Sequence, residues 1–394
     1  MLLKTLKTQN FRNLADNPPE FCDGINVLYG DNAAGKTNTL EAVYLFATGK
    51  SFRTRQEKDF IRHGESFTRA EIEYSGICGN RSMAITYAAA GAKTVKGMQI
   101  EETMVDRVSE FLGNFRAVLF TPDHLELIKG APEERRRLVD MALCQIKPRY
   151  VKSLNDYAKV LAQRNIYLKN AKIRSSRVDE DYLDVLNRQL AAAGAVIVKQ
   201  RGLYCHKLSL LAGEMYSSLT GGSETLYARY MSRAIAGDGA DEEENASMLY
   251  NMYKKDMSRD VELGKTSHGP HHDELMIYVA SRDEAENVFK RARESFCEGL
   301  SDFAARSFGS QGQQRSAVLS IKLSEGEIIK EKCSEYPVFL LDDLFSELDD
   351  SRRERLCEMF EDRQCIITCC DKASLPKKSH MKITNVKDGK YFPL

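Results

Sequence analysis

The chain has 394 residues, enough for two or three domains, and its 42% apolar content is typical of globular rather than disordered proteins. Its 57 basic and 57 acidic residues balance, so nucleic-acid contact must come from a local cluster and not from a globally basic surface. The opening residues are not typical of a signal peptide, the longest apolar run is too short for a membrane span, and ten cysteines without a secretory signal predict reduced thiols in a cytoplasmic protein.

The first motif in the chain is a phosphate-binding loop. Leu2–Leu14 is predicted as an edge strand, and the apolar run Gly24–Tyr29 as a buried strand. Gly30–Thr37 then matches GxxxxGK[ST], and apolar residues follow at helical spacing as far as Gly49. A strand, a glycine loop and a helix start place backbone N–H groups around phosphate oxygens. The sequence therefore predicts a site for a nucleoside triphosphate.

Each residue type in this loop suggests a role. Lys36 is expected to reach the β- and γ-phosphates, and the Thr37 hydroxyl is expected to ligate Mg²⁺. Beyond the helix, Arg53 and Arg55 are open to two interpretations, contact with nucleotide or DNA phosphates and a solvated turn. The residues expected to bind the nucleotide are Gly30, Asp31, Asn32, Ala33, Ala34, Gly35, Lys36, Thr37 and Asn38.

Strand patterns continue to residue 120 and then give way to helices. Ala70–Tyr74 and Ser82–Tyr87 predict antiparallel strands, and Phe115–Phe120 predicts another. Pro132, followed by two glutamates, is typical of a helix start. Heptad-spaced apolar residues then occur in two runs separated by Arg174–Asp181. A short antiparallel hairpin projecting by about 35–40 Å is the preferred interpretation, and two helices in a bundle is the alternative. In the first run the heptad positions are Val151, Leu154, Ala158, Leu161 and Leu168.

The first of these helices carries an uneven charge. Between Lys147 and Arg177 stand nine basic residues and one acid. Such clusters give sequence-independent affinity for DNA by neutralising phosphates, although a solvated helix face has the same composition. The residues expected to contact DNA are Lys147, Arg149, Lys152, Lys159, Arg164, Lys169 and Lys172.

Two later segments are given no catalytic role. Gly237–Asn245 is predicted to be an acidic surface loop. Gly269–Glu274 contains two histidines beside His268, but successive residues of an extended chain point to opposite faces and enclose one ion poorly. Cys365, Cys369 and Cys370 are interpreted as core thiols and not as metal ligands.

An acidic strand end is predicted to complete the nucleotide site. Tyr336–Asp343 is an apolar run that ends in two aspartates, which is the Walker B pattern. Asp342 is expected to hold the Mg²⁺ shell, and Asp343 to act as general base on the attacking water. Ser346–Asp349 follows directly, and Gln364–Thr368 predicts one more strand.

A second phosphate-binding end is predicted at Ser310–Arg315, which opens the apolar-periodic helix Ser316–Ile329. Its expected nucleotide-binding residues are Ser310, Gly312 and Gln313. If the two phosphate-binding ends lie on different lobes, one monomer cannot enclose a nucleotide, and ATP closes in the interface of a dimer.

Together these motifs resemble those of the ABC-type ATPases, whose signature is S-G-G-Q. Along nearly its whole length the chain is similar to the RecF family. The segments that carry this likeness are Asn10–Asn13, Ser51–Thr54, Leu119–Pro122, Lys129–Pro132, Gly269–His271 and Ser310–Arg315. The resemblance implies an α/β ABC-type P-loop ATPase head, with mixed sheets around the P-loop helix. It also implies an inserted all-helical lobe carrying a short antiparallel hairpin at about 149–215.

On this reading, residues 1–120 and 330–394 form ATPase lobe I, with Walker A, Walker B and D-loop, and residues 121–329 form a mainly helical lobe II. The resemblance further implies an ATP- and Mg²⁺-dependent DNA-binding protein of recombinational repair, replication-fork maintenance and the SOS response. It implies a homodimer that ATP closes on gapped, single-stranded or double-stranded DNA, weak DNA-stimulated hydrolysis, and cooperation with RecR and RecO in loading RecA. The alternative is an ATP-switched protein-interaction module in which DNA contact is incidental.

The chain departs from the general ABC pattern at several positions. Gln311 replaces the first signature glycine, and no Q-loop glutamine is apparent near Phe120–Asp123. Asp343 stands where glutamate is usual, and this shorter base suggests slow hydrolysis. His272 and Glu274 stand where the RecF family usually carries Arg and Asp, so neither is assigned to catalysis.

Overall fold

The computed structural model describes residues 1–16, 19–91, 93–174, 178–234, 240–284, 305, 310–347, 350–370 and 381–393. These form two compact units, with Met1–Leu125 and Val318–Leu394 in unit 1 and Glu126–Ala317 in unit 2. Leu348 and Asp349 of the predicted D-loop, and the basic Arg177, lie outside the described residues. No helix in the described ranges is long and apolar enough to cross a membrane.

Within these ranges the strands are β1 (Leu2–Gln9), β2 (Ile25–Tyr29), β3 (Phe67–Gly76), β4 (Gly79–Ala90), β5 (Lys93–Ile100), β6 (Thr103–Met104), β7 (Ala117–Phe120), β8 (Glu224–Met231), β9 (Glu274–Ser281), β10 (Val338–Leu341), β11 (Cys365–Cys369), β12 (Met381–Lys387) and β13 (Lys390–Pro393). The helices are α1 (Lys36–Thr48), α2 (Val108–Phe111), α3 (Glu126–Lys129), α4 (Pro132–Ile146), α5 (Pro148–Arg174), α6 (Glu180–Leu219), α7 (Glu242–Lys255), α8 (Met257–Leu263), α9 (Gln311–Cys333) and α10 (Asp350–Met359).

Unit 1 contains two sheets. One is antiparallel, in the order β1-β3-β4-β5-β6. The other has the order β13-β12-β2-β11-β10-β7, with parallel pairing everywhere except at the edge strand β13. Strands β2, β10 and β11 are mainly apolar and almost entirely buried, as expected for parallel strands covered on both faces. Their carboxyl ends lie side by side, which is where open α/β sheets bind ligands.

Unit 2 is mainly helical. Helices α5 and α6, of 27 and 40 residues, are antiparallel neighbours, since Tyr157 lies against Gly194 and Gln163 donates a hydrogen bond of 2.7 Å to the Tyr182 hydroxyl. The predicted antiparallel pairing is therefore confirmed. Helix α5 also packs on α8, and α6 packs on α4, α7 and β8. The two helices are thus part of a packed body and not a freestanding arm.

The predicted heptad positions of α5 are buried at Val151 and Leu168 and half-buried at Leu154 and Leu161, but the prediction was wrong at Ala158. Ala158 is exposed, while Arg164 is buried without any exposed surface. The Arg164 guanidinium donates to Asn187 at 2.9 Å, to Asp260 at 2.8 Å and to Thr266 at 2.7 Å. Because these partners lie far along the chain, the residue was mistaken for part of the basic face. The prediction that Arg164 contacts DNA was therefore wrong, because its guanidinium forms a buried ion pair with Asp260.

Two further features of unit 2 were not predicted from the sequence. Strands β8 and β9 form an antiparallel ribbon, and the Ala228 N–H donates to Ser209 of α6 at 2.9 Å. The acidic loop prediction was wrong from Asp241 onward, because Asp241 caps α7. Its carboxylate accepts from the N–H of Glu244 at 2.9 Å, and the Glu244 carboxylate accepts from the Asp241 N–H at 2.9 Å. This reciprocal capping box begins the helix.

The segment Gly269–Glu274 is a polar junction of unit 2. His271 Nδ1 lies 2.6 Å from the Tyr157 hydroxyl, which ties the segment to α5. Glu274 accepts two hydrogen bonds from Arg135, at 2.8 and 3.1 Å, which ties it to α4. Such bidentate pairs fix orientation as well as adding energy. The segment therefore holds helices and β9 together.

This junction makes the stability of unit 2 depend on pH. Burial lowers the pKa of His271 from 6.5 to about 4, so the folded state holds the ring neutral where the unfolded chain would protonate it. Stability should be fully present above pH 6.5 and should fall as the pH drops toward 4. Between pH 7.5 and pH 5 the expected loss from this group is about 2 kcal/mol.

The measurement is urea unfolding followed by far-ultraviolet circular dichroism at both pH values. His271→Gln should lose less stability on acidification than the wild type, and the exposed His63→Gln should behave as the wild type. The neighbouring Asp273, whose pKa is raised by burial, titrates in all three proteins and cancels in the comparison. Equal losses in wild type and His271→Gln would contradict the assignment.

Candidate functional site

The phosphate loop Gly30–Thr37 connects β2 to α1. Gly35 has φ 113, in the region that favours glycine, and a Cβ on Gly30 would lie 2.2 Å from the Val386 carbonyl oxygen. The Lys36 ammonium donates to the carbonyl oxygens of Gly30 at 2.6 Å and Asp31 at 2.8 Å. The lysine charge is thus held within the loop, beside the amino end of α1.

The acidic strand end meets this loop at Asp342. Asp342 Oδ1 accepts hydrogen bonds from the hydroxyls of Thr37 at 2.9 Å and Thr368 at 2.7 Å. Burial raises the pKa of Asp342, and the two hydroxyls oppose that shift. A hydroxyl and one carboxylate, with phosphate oxygens, form the donor set that Mg²⁺ uses at nucleotide sites. Thr37 and Asp342 therefore fit the predicted metal-binding role.

Asp343, the predicted general base, follows directly and has an unusual backbone. Its φ of 50° is uncommon for a residue with a side chain, and such conformations concentrate at functional sites. The Asp343 N–H donates to Thr368 Oγ1 at 2.9 Å. One threonine hydroxyl therefore contacts both the carboxylate of Asp342 and the backbone of Asp343. The sequence placed Thr368 only in a strand, and its position at that strand's carboxyl end was the available signal.

The N-terminal turn adds residues that the sequence did not assign to the site. Asn13 donates to the Ala33 carbonyl at 2.9 Å and accepts from Asn38 at 2.6 Å. The Arg53 guanidinium donates to the side-chain oxygen Oδ1 of Asn38 and lies 3.7 Å from the buried carboxylate of Glu41. Arg55 is exposed on the following turn. These contacts join two of the segments that resemble the RecF family to the phosphate loop and to α1, the helix that follows it.

One of the three predicted core thiols lies at the loop instead. Cys365 and Cys369 are buried in β11, but Cys370 is exposed. Cys370 Sγ lies 3.0 Å from Asn32 Oδ1 and 3.6 Å from Lys36 Nζ. The strand ends one residue earlier, so Cys370 follows β11 out of the core. All nine cysteines of the described residues are free thiols.

The signature segment, Ser310–Arg315, starts α9 in unit 2, and α9 begins at Gln311, five residues before the predicted start. The Ser310 N–H donates to Gln313 Oε1 at 2.7 Å, and the Gln313 N–H donates to Ser310 Oγ at 3.2 Å. This reciprocal arrangement is again a capping box. Gly312 stands between these residues on the first turn.

The predicted DNA contacts divide into two groups. Three of them bond within unit 2: Lys147 to Gln200, Arg149 to Glu242 at 2.6 Å, and Lys172 to the Leu263 carbonyl at 3.5 Å. Lys152, Lys159 and Lys169 are exposed along α5, over about 25 Å of helix. With Arg164 buried, these three lysines are the strongest remaining candidates for a phosphate-binding face.

A phosphate loop, a Walker B aspartate and a signature helix define an ABC-type ATPase head. The family model of the RecF/RecN/SMC N terminal domain matches residues 2–391. A DNA replication and repair protein RecF from Ruminiclostridium cellulolyticum is 38% identical over 375 residues, covering 94% of this chain and 93% of that protein. That of Clostridium acetobutylicum is 34% identical and covers 99% of both chains. The chain belongs to the RecF family of DNA replication and repair proteins.

Solved structures agree with this assignment. The recombination mediator protein RecF-ATPrS in the RecFOR pathway matches with a TM-score of 0.86 and 30% identity, over 100% of this chain and 98% of that chain. An Smc head bound to the C-winged helix domain of ScpA matches with a TM-score of 0.54 at 14% identity, which shows a shared fold alone. The predicted ABC-type head is thereby confirmed.

The contacts of Thr368 predict its effect on hydrolysis. Thr368→Val keeps the shape of the side chain but removes the hydroxyl that holds the Asp342 carboxylate and the Asp343 backbone N–H. Steady-state hydrolysis should fall by about 10–100-fold, as for other residues that orient metal ligands. Nucleotide affinity measured by calorimetry should change little, because Lys36 and the loop remain.

Two further variants control this measurement. Thr368→Ser retains a hydroxyl and should keep most of the activity. Thr384→Val removes another buried threonine hydroxyl from the same sheet and should leave hydrolysis unchanged. Wild-type hydrolysis by Thr368→Val would show that this hydroxyl does not organise the site.

Proposed function

We propose that this protein is an ATP-driven DNA-binding switch of replication and repair, in which ATP closes two copies on DNA and slow hydrolysis releases them. The observation that carries the proposal is the convergence of Lys36, Thr37, Asp342 and Asp343 at one sheet edge. The naming of its relatives as DNA replication and repair proteins, and a matching structure of RecF-ATP, support the choice of process and nucleotide.

The chemistry follows from residues of unit 1. Lys36 exchanges its two carbonyl acceptors for phosphate oxygens, and the amino end of α1 adds N–H donors. Thr37 and Asp342 would hold Mg²⁺, which when bound neutralises charge on the β- and γ-phosphates. Asp343 accepts the proton of the attacking water. Its short side chain favours slow turnover, which suits a switch.

The signature segment supplies the second half of the proposed site. Ser310 Oγ accepts from the Gln313 N–H, and an accepting hydroxyl still has its own proton to donate. With the amino end of the 23-residue α9, it forms a phosphate-binding end suited to a nucleotide held by another copy. DNA, preferably gapped, and the proteins RecR and RecO are the proposed partners, with RecA loading as the outcome.

Complementation between two variants tests the shared site. Ser310→Arg places a bulky cation where the phosphate of the second copy's nucleotide would bind, and Lys36→Ala removes a ligand of the phosphate. Neither variant by itself should therefore form a dimer when ATP is added. In their mixed dimer one composite site carries both lesions and the other carries none. Mixing should therefore restore ATP-dependent association, weaker than in the wild type, as measured by sedimentation velocity.

The outcomes separate the possible failures. Association of either variant alone would contradict a nucleotide shared between copies. If mixing restores nothing while the wild type associates, both sites must close together for a dimer to form. A wild type that stays monomeric at saturating ATP would contradict the switch itself. Lys36→Ala should also lose nucleotide binding by calorimetry, and unchanged affinity would refute the role of the loop.

The exposed lysines of α5 give the DNA-binding part of the proposal its own test. Replacing Lys152, Lys159 and Lys169 by Gln should weaken duplex binding regardless of sequence. If each contacts one phosphate, the slope of log K against log salt should decrease by about 2.7 in magnitude. A control with the exposed Lys58, Lys93 and Lys387 replaced by Gln matches the change in net charge. Equal slopes for the two triple variants would contradict phosphate contact by these lysines and would mean that this side of α5 is only solvated.

One observation favours the alternative, a protein-interaction module. Ile166 and Ile173 are 63% and 69% exposed on α5, at heptad spacing from Lys152 and Lys159. Apolar surface rimmed by polar residues marks protein contacts when its side chains are contiguous, and these two isoleucines are seven residues apart on one helix face. Ile166→Ser with Ile173→Ser should weaken capture of purified RecR or RecO under this alternative, and leave DNA affinity unchanged under both.

A further inference from the structure

The side chain of Gln313 is fixed at both ends of its amide group. Its Oε1 accepts from the Ser310 N–H at 2.7 Å, and its Nε2 donates to Glu224 Oε1 at 2.6 Å. A carboxylate can only accept, so the amide nitrogen must face Glu224 and the amide oxygen must face Ser310. The orientation of Gln313, and with it the turn around Ser310, is therefore set by Glu224.

Glu224 is itself held by the body of unit 2. Its second oxygen, Oε2, accepts from the fully buried Tyr216 of α6 at 3.0 Å. Glu224 is the first residue of β8, whose backbone lies so close to α6 that a Cβ on Gly213 would be 2.8 Å from the Leu226 carbonyl oxygen. The carboxylate thus bridges a rigid helix and the signature segment.

We propose that Glu224 is a positioning residue of the composite ATP site, acting through Gln313 to hold the Ser310 hydroxyl ready for the phosphate of a nucleotide bound by a second copy. This inference rests on the function proposed above. The hydrogen bond from Gln313 to Glu224 is charge-assisted, and loss of such a bond leaves a flexible amide beside Ser310. Reordering the turn then opposes closure, whereas nucleotide capture by unit 1 is unaffected.

The test removes the hydrogen bond between Gln313 and Glu224 and then restores it by exchanging the two side chains. Glu224→Ala should raise the dimer dissociation constant at saturating ATP by about tenfold. Gln313→Glu keeps the acceptor for Ser310 but sets two carboxylates together, and should weaken association further. The double variant Glu224→Gln with Gln313→Glu restores a donor facing an acceptor, and should recover to within about threefold of the wild type. Glu214→Ala, which removes an exposed carboxylate from α6, is the control.

Sedimentation velocity gives the dissociation constants, and calorimetry of monomer nucleotide affinity checks that unit 1 is intact in each variant. A structural role alone would not be rescued by exchanging the partners. The role of Glu224 is overturned if the dissociation constant of Glu224→Ala lies within twofold of that of the wild type. It is also overturned if the double variant associates no better than Gln313→Glu. Neither result would overturn the shared site. Lack of ATP-dependent association in the wild type overturns the shared site and this role with it.

Discussion

The candidate site depends on one buried carboxylate, Asp342. The strand order places β11 between β2 and β10, so Thr368 on β11 bridges the phosphate loop and the acidic strand end. Because burial raises the pKa of Asp342, its charged form is costly until a cation arrives. In the proposed site a metal–nucleotide complex would relieve that cost, and by linkage it would stabilise the fold around the carboxylate.

Both ends of the chain are needed to close this site. Gly30 lies against the Val386 carbonyl of β12, and a Cβ on Gly389 would be 2.0 Å from the Asn13 carbonyl oxygen. Asn13 in turn donates to Ala33 within the phosphate loop. The glycine at position 30 is therefore required for the close approach of a neighbouring strand, apart from its proposed contact with phosphate.

Features set by neighbouring residues in the sequence could be predicted, whereas features set by contacts between distant residues could not. The phosphate loop and the Walker B strand are local patterns of apolar residues, glycine and acids, and the structure has them where they were expected. The role of Thr368 could not be predicted, because it depends on which strand pairs with β10. Arg164 was misplaced for the same reason: its partner Asp260 lies 96 residues along the chain. Basic residues at helical spacing form a charged face only if each of them is exposed in the fold. A carboxylate far along the chain, such as Asp260, can pair with one of them in the interior.

The signature segment, Ser310–Arg315, offers few hydrogen-bond donors, and this limits the free energy that ATP could contribute to the proposed dimer. In the proposed dimer each signature segment offers one hydroxyl proton and one helix end, because the Ser310 N–H is bonded to Gln313. A hydrogen bond to a charged group contributes about 1.5–3 kcal/mol, and a helix end about 0.3–1 kcal/mol. One site thus adds at most about 4 kcal/mol, at the lower end of the about 4–15 kcal/mol that association costs. A two-fold interface forms two such sites at once and doubles the gain. In the proposed dimer one nucleotide would therefore support at most a weak pair and two would support a tighter one, so hydrolysis at either site would be sufficient to loosen it.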